Sequence, residues 1–127
     1  MPLDKKKTDF GIVRIHNKVI SSIAALAAKE IKGVLRMGGP ALRNIADLFG
    51  KKGITEGVKI GFRENNEVDI TLYIVIEYGS NVPYVSNLVQ ENVKKRVEEL
   101  TGLSVNEVEV NVYDVSEAKK QSMADSR

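Results

Sequence analysis

The single histidine, His16, is the first residue to weigh for chemistry, because imidazole titrates near neutral pH and ligates metals. Acid–base work or a metal site needs partners at hydrogen-bond or ligand spacing. None lies near it in the sequence, so His16 reads as a solvated side chain beside a helix start. Glu64, Glu67 and Asp69 flank Asn65-Asn66. They read as solubilising turn residues, with weak cation contact as their only chemistry, rather than as an acid–base dyad. Gly38-Gly39 and Gly50-Lys51-Lys52-Gly53 are not phosphate cradles. A P-loop runs Gly, four residues, Gly-Lys-Ser/Thr, and here Lys52 is followed by Gly53. No serine sits in a Gly-x-Ser-x-Gly elbow. The chain has no cysteine, which excludes disulfides, thiolate metal sites and cysteine nucleophiles. The residues thus offer no catalytic group, no metal site and no cofactor site, and an enzyme is not the expected class.

More informative chemistry lies on one predicted sheet face. By two-residue parity this face carries Lys59, Gly61 and Arg63 on one strand. Thr71, Tyr73 and Val75 lie on a second, and Glu109, Asn111 and Tyr113 on a third. Three readings apply to a polar face with two tyrosines. It is a solvated face, on which isolated aromatics are ordinary. It is a contact surface, since Tyr and Arg are favoured at interface centres. Or it stacks bases, as RNA-recognition modules do. The last is disfavoured, because Thr71-Leu72-Tyr73-Ile74-Val75-Ile76 does not match the aromatic RNA-binding strand signature. Formal net charge is only +2 at a sequence pI near 8.8, which also argues against a nucleic-acid partner. The candidate interaction residues are Arg63, Tyr73 and Tyr113.

These residues need a scaffold, and the stretch from Glu67 to Tyr78 organises it. Val68, Ile70, Leu72, Ile74 and Ile76 alternate onto one face, with Tyr78 in the same parity, and no Gly or Pro interrupts the run. It reads as a long central strand. Before it, Val58 to Arg63 alternates, and Asn65-Asn66 supplies the positive φ values of a tight hairpin. Phe10 to Ile15 reads as a short first strand. Asn17 is a good N-cap for a helix over 18–32, buried through Val19, Ile20, Ile23, Ala24, Ala27 and Ile31. After Gly79, Ser80 or Asn81 caps a second helix, and Pro83 suits its first turn. Its stripe is Val85, Leu88, Val89, Val93, Val97 and Leu100. Gly102-Leu103 gives a Schellman-type ending. Val108, Val110 and Val112 mark the last strand. Residues 41–49 read as a short amphipathic helix inside a long connection, 34–57, which is either packed or a functional loop. An anionic membrane or a partner groove is the alternative place for that helix.

The expected fold is therefore α+β: a single domain, β-α-β-β-α-β, of the split βαβ type. It has a four-stranded, mostly antiparallel sheet with two main helices on one face. At 127 residues it forms one domain with a real core. Its expected bounds are 10–115, between a flexible arm over 1–9 and a flexible tail over 116–127. No stretch of 18 apolar residues and no signal-like segment occurs, so the chain reads as soluble and cytoplasmic.

Several stretches together resemble the alkaline shock protein family of Gram-positive envelope stress response proteins. Glu77-Tyr78-Gly79, Val82-Pro83 and Val89-Gln90-Glu91-Asn92-Val93 carry the likeness. So do Gly11-Ile12-Val13-Arg14-Ile15, Val19-Ile20, Ile23-Ala24, Gly33-Val34, Gly57-Val58 and Thr101-Gly102-Leu103. The match spans about residues 10–115. The resemblance implies a non-enzymatic protein of envelope stress or homeostasis, with no catalytic residues to carry over. It implies self-association into a homo-oligomer and attachment beneath the membrane by a membrane-anchored relative. Links to lipid metabolism in the family give the alternative, a ligand-binding or regulatory module with residues 34–57 as a lid.

Overall fold

Aliphatic side chains at every second position from Val68 to Ile76 place one long strand at the centre of the molecule. A computed structural model describes residues 4–38, 54–55 and 57–117. Among these, the chain runs β1 (Asp4–Thr8), β2 (Gly11–Ile15), α1 (Asn17–Lys29), β3 (Val34–Met37), β4 (Ile54–Thr55) and β5 (Val58–Arg63). It continues through β6 (Glu67–Glu77), α2 (Val82–Thr101) and β7 (Ser104–Ser116).

The parallel partner β7 lies along one edge of β6, from Glu67↔Ser104 to Glu77↔Ser116. The other edge is shared between two antiparallel partners. β5 takes the first half, Val58↔Leu72 to Arg63↔Glu67. β3 takes the second half, Val34↔Ile76 to Met37↔Ile74. The short β4 adds outside β5. Val68, Ile70, Leu72, Ile74 and Ile76 are all buried, in one cluster with Ile20, Ala24 and Ala28 of α1 and Val85, Val89, Val93 and Val97 of α2. The α+β class, the mostly antiparallel sheet and the two helices on one face are as expected from the sequence.

Strand order differs from the split arrangement. The βαβ unit is closed: α2 returns the chain to the neighbouring edge of β6, giving the parallel pair that such a crossover allows. The predicted first strand is not in the main sheet. Among the described strands, β2 pairs only with β1, in a separate two-stranded sheet, so residues 4–8 of the predicted arm form a strand. Gly11, Val13 and Ile15 alternate onto one apolar face of β2, but of these only Ile15 packs against the core, and Val13 is 48% exposed. β3 takes the vacant flank of β6, with Val34 and Met37 packed against the core.

Helix details also shift. His16, not Asn17, is the N-cap of α1, with extended φ −79° and ψ 152° and no side-chain cap bond. Val19 and Leu100 are 48% and 65% exposed, at the margins of their stripes. On α2 the strict four-residue series 85, 89, 93, 97 ends instead at Thr101. The Thr101 Oγ1 donates to the Val97 carbonyl at 2.6 Å and accepts from the Leu103 N–H at 3.1 Å, which satisfies a buried hydroxyl. Asn81 caps α2 by accepting from the Tyr84 N–H at 3.0 Å. Gly102 ends it in the left-handed conformation. Asn65 and Asn66 adopt φ 63° and 61°, as the predicted tight hairpin requires. Tyr78 is exposed, because β6 ends at Glu77. The helix expected over 41–49, and most of the connection read as a lid, lie outside the described residues.

Candidate interaction surface

The sheet face turned away from the helices is built by alternation on β6. Asp69, Thr71 and Tyr73 are half-buried there, and Val75 is buried. Neighbouring strands bring Lys59, Gly61 and Arg63 on one side and Glu107, Glu109 and Asn111 on the other. Tyr73 lies opposite Asn111. Its backbone is held on the other edge, where its carbonyl accepts from the Gly38 N–H and its N–H donates to the Gly57 carbonyl, both at 2.9 Å.

The register steps from Ile74↔Val112 to Val75↔Asp114, so Tyr113 is the extra residue of a β-bulge. It is 37% exposed, two residues beyond the partner of Tyr73 on the adjacent strand. The two tyrosines therefore share one region of the sheet. Arg63 does not join them. It pairs with Glu67, six positions before Tyr73, which is about 20 Å along the strand.

Arg63 is engaged where it stands. Its Nε donates to Asp69 Oδ2 at 2.6 Å, and the Asn106 amide donates to Asp69 Oδ1 at 2.9 Å. Gly61 lies directly across from Asp69. With no side chain at that position, the carboxylate reaches the diagonal Arg63. The Asn106 hydrogen bond, then Arg63, holds the Asp69 carboxyl below its ordinary value, and Asp69 in turn raises Arg63. Asn106 sits at the other register step of β7, between Val105 and Glu107, and parity alone could not have found it.

Two further carboxylates are held low. The Val105 N–H, at 2.8 Å, is the main cause for Glu98, followed by Lys94. The Asn92 amide, at 2.8 Å, and Arg96 act on Glu30. A carboxylate with a depressed folded-state pKa stabilises the fold above its unfolded value and loses that contribution as pH falls through the folded one. Stability is therefore expected to be level near neutrality and to fall once pH drops below about 4. Thermal denaturation across pH checks this. Asn106→Ala should shrink the acid-side drop, because Asp69 then loses its main hydrogen bond. An unchanged acid profile in that variant would remove Asp69 from the account.

His16 is exposed at the start of α1. Among the described residues, no group of three or more His, Cys, Asp or Glu could hold a metal. No helix among them is long and apolar enough to cross a membrane. The exposed apolar residues Phe10, Ile12 and Val13 of the β1–β2 hairpin were not flagged by the sequence. Their only signal there is an apolar run with no second strand or helix to cover it.

The fold and its tyrosine-bearing face define a small α+β domain, one helix layer on a main sheet with a two-stranded hairpin beside it. The chain belongs to the alkaline shock protein 23 family, described by its cell envelope-related function, whose model matches residues 5–117. Among relatives, it is 32% identical over 115 residues to the uncharacterized protein YqhY of Bacillus subtilis, covering 91% of this chain and 84% of that one. It is 30% identical over 114 residues to B. subtilis YloU, covering 86% and 92%. It is 31% identical over 121 residues to a stress response regulator gls24 homolog of Streptococcus pyogenes, covering 91% and 67%. No solved structure matches the chain significantly. The alkaline-shock resemblance is borne out, and the family's role is related to the cell envelope and to stress response.

Proposed function

We propose that this protein is a non-enzymatic component of envelope stress response or homeostasis. It acts in the cytoplasm by self-association and by binding a membrane-anchored partner that holds it beneath the membrane. The observation that carries this reading is the sheet face opposite the helices, where Tyr73 is half-buried and the bulged Tyr113 lies two residues beyond its cross-strand partner Asn111. Aromatic side chains set among polar groups give contact area at low entropic cost, and Tyr and Arg are favoured at interface centres. Arg63 extends the same face some distance away, already ordered by Asp69.

Light scattering over a concentration series tests the reading. Mass is expected to rise above the 14.0 kDa of one chain. The Tyr73→Ser, Tyr113→Ser double variant should keep its circular dichroism spectrum and lose about tenfold or more in association constant, since interface hot spots cost about 2 kcal/mol or more. If the variant assembles like the parent, the tyrosine face is not the interface.

A further inference from the structure

The β1–β2 hairpin meets the core only at its end, through the partly buried Ile15, while its residues 8–14 are exposed. It forms its own two-stranded sheet, with register from Asp4↔Ile15 to Thr8↔Gly11. Phe10 at its turn is 99% exposed, and Ile12 and Val13 are 56% and 48% exposed. An isolated hairpin is marginal in water and needs a third strand or a packing surface. Its sequence is basic, with Lys5, Lys6 and Lys7 on β1 and Arg14 on β2 against only Asp4 and Asp9.

The main sheet offers the complement. Among the described strands, β7 pairs with β6 alone. The first part of its outer edge is occupied by α2. Lys94 donates to the Val105 carbonyl at 2.9 Å, the Val105 N–H donates to Glu98 at 2.8 Å, and Gln90 donates to the Val108 carbonyl at 2.9 Å. Beyond Val108, over residues 109–112, no such bridge from α2 continues among the described contacts. Residues 104–117 carry Glu107, Glu109, Asp114 and Glu117 and no basic residue. Those charges oppose pairing of β7 with another β7, because like charges across strands destabilise. They favour a basic strand instead.

We propose that the β1–β2 hairpin of one chain docks on the β7 edge of a second copy, β1 extending the sheet along residues 109–112. This deepens the self-association reading and rests on it. Backbone hydrogen bonds supply the pairing, and the lysine–glutamate match selects the partner strand. Hairpin and edge are different surfaces, so the contact is head-to-tail. It leaves a free hairpin at one end and a free edge at the other, and unless the rotation closes into a ring it propagates.

The test uses two full-length variants. One carries Lys5→Glu, Lys6→Glu and Lys7→Glu. The other carries Glu107→Lys and Glu109→Lys. Each alone should associate at least tenfold more weakly than the parent by light scattering. Mixed, they should recover most of the lost affinity, since an acidic hairpin then meets a basic edge. A second measurement exploits the absence of native cysteine. Lys6→Cys and Glu109→Cys chains of different tagged mass are mixed with a short bismaleimide. The mixed cross-link should exceed either like-with-like product at least fivefold.

Variants that associate like the parent, a mixture that shows no rescue, or cross-links only between like chains would each overturn the hairpin–edge contact. In those cases a parent mass still above one chain leaves the tyrosine-face reading standing. A parent that stays monomeric at high concentration defeats both. Binding of the parent to phosphatidylglycerol vesicles, lost in the triple Lys→Glu variant and accompanied by no charge rescue, would overturn the contact and assign the hairpin to a lipid surface.

Discussion

A Leu72→Ala chain is expected to unfold with about 3–5 kcal/mol less stability than the parent. Leu72 is fully buried at the middle of β6. It is flanked by Val58 on β5 and Val110 on β7. The side chain points into the layer where α1 and α2 meet the sheet. Truncation removes buried methyl groups and leaves a cavity that three strands and two helices cannot easily close. Against a total of about 5–15 kcal/mol for a domain, that is a large fraction. Urea denaturation measures it, with the midpoint falling and the slope unchanged. Leu100→Ala is the control. Leu100 is 65% exposed, and its loss should stay within about 0.5 kcal/mol. A Leu72 variant costing no more than the Leu100 control would mean that β6 is not the centre of the core.

The same residue shows what the sequence makes legible. The alternation of Val68 to Ile76 has one physical solution, a strand buried on one face, and the structure adopts it. The turn at Asn65-Asn66, the Asn81 cap and the Gly102 ending were readable for the same reason. Each is a local device whose chemistry is contained in two or three adjacent residues. Sheet order was not readable, because pairing partners are chosen by tertiary geometry. Val34–Met37 is only four residues long, and its place on β6 depends on where α1 ends. Phe10–Ile15 has strand-forming residues and one short apolar face, Gly11, Val13 and Ile15, but nothing local says which sheet it joins.

The candidate face was half legible. Tyr73 lies where parity puts it, because β6 is regular. Tyr113 stands two residues beyond Asn111, as parity has it, but it is the extra residue of a bulge before Asp114 that sequence spacing cannot reveal. Arg63 was correctly placed on the face. Its engagement with Asp69 was hidden, because it depends on Gly61 leaving space across the strand pair. Strand irregularities at Asn106 and Tyr113 thus decide which polar groups meet. Both fall on β7, the strand whose outer edge carries the acidic charge.

Gly33→Ala is expected to cost about 2–5 kcal/mol, through two causes that can be separated. Gly33 lies between α1 and β3 with φ +106°, a backbone conformation that L side chains rarely adopt. A Cβ built there would stand 2.9 Å from Val85 Cγ2 and 3.2 Å from Ser80 Oγ. The site cannot simply move away, because the Gly33 carbonyl accepts from the Glu77 N–H at 2.8 Å, tying the turn to the end of β6. Val85 is itself buried in the first turns of α2. One glycine therefore sets how closely the end of α1, the end of β6 and the start of α2 approach. A double-mutant cycle divides the cost. In a Val85→Ala background the steric part is relieved while the backbone part remains. Gly33→Ala should then cost about 1 kcal/mol or more less than it does in the parent. Equal costs in both backgrounds would assign the penalty to φ and the Ser80 contact, not to Val85. A cost below about 0.5 kcal/mol in the parent would show that the turn accepts a side chain and that the three elements are not held at that distance by Gly33.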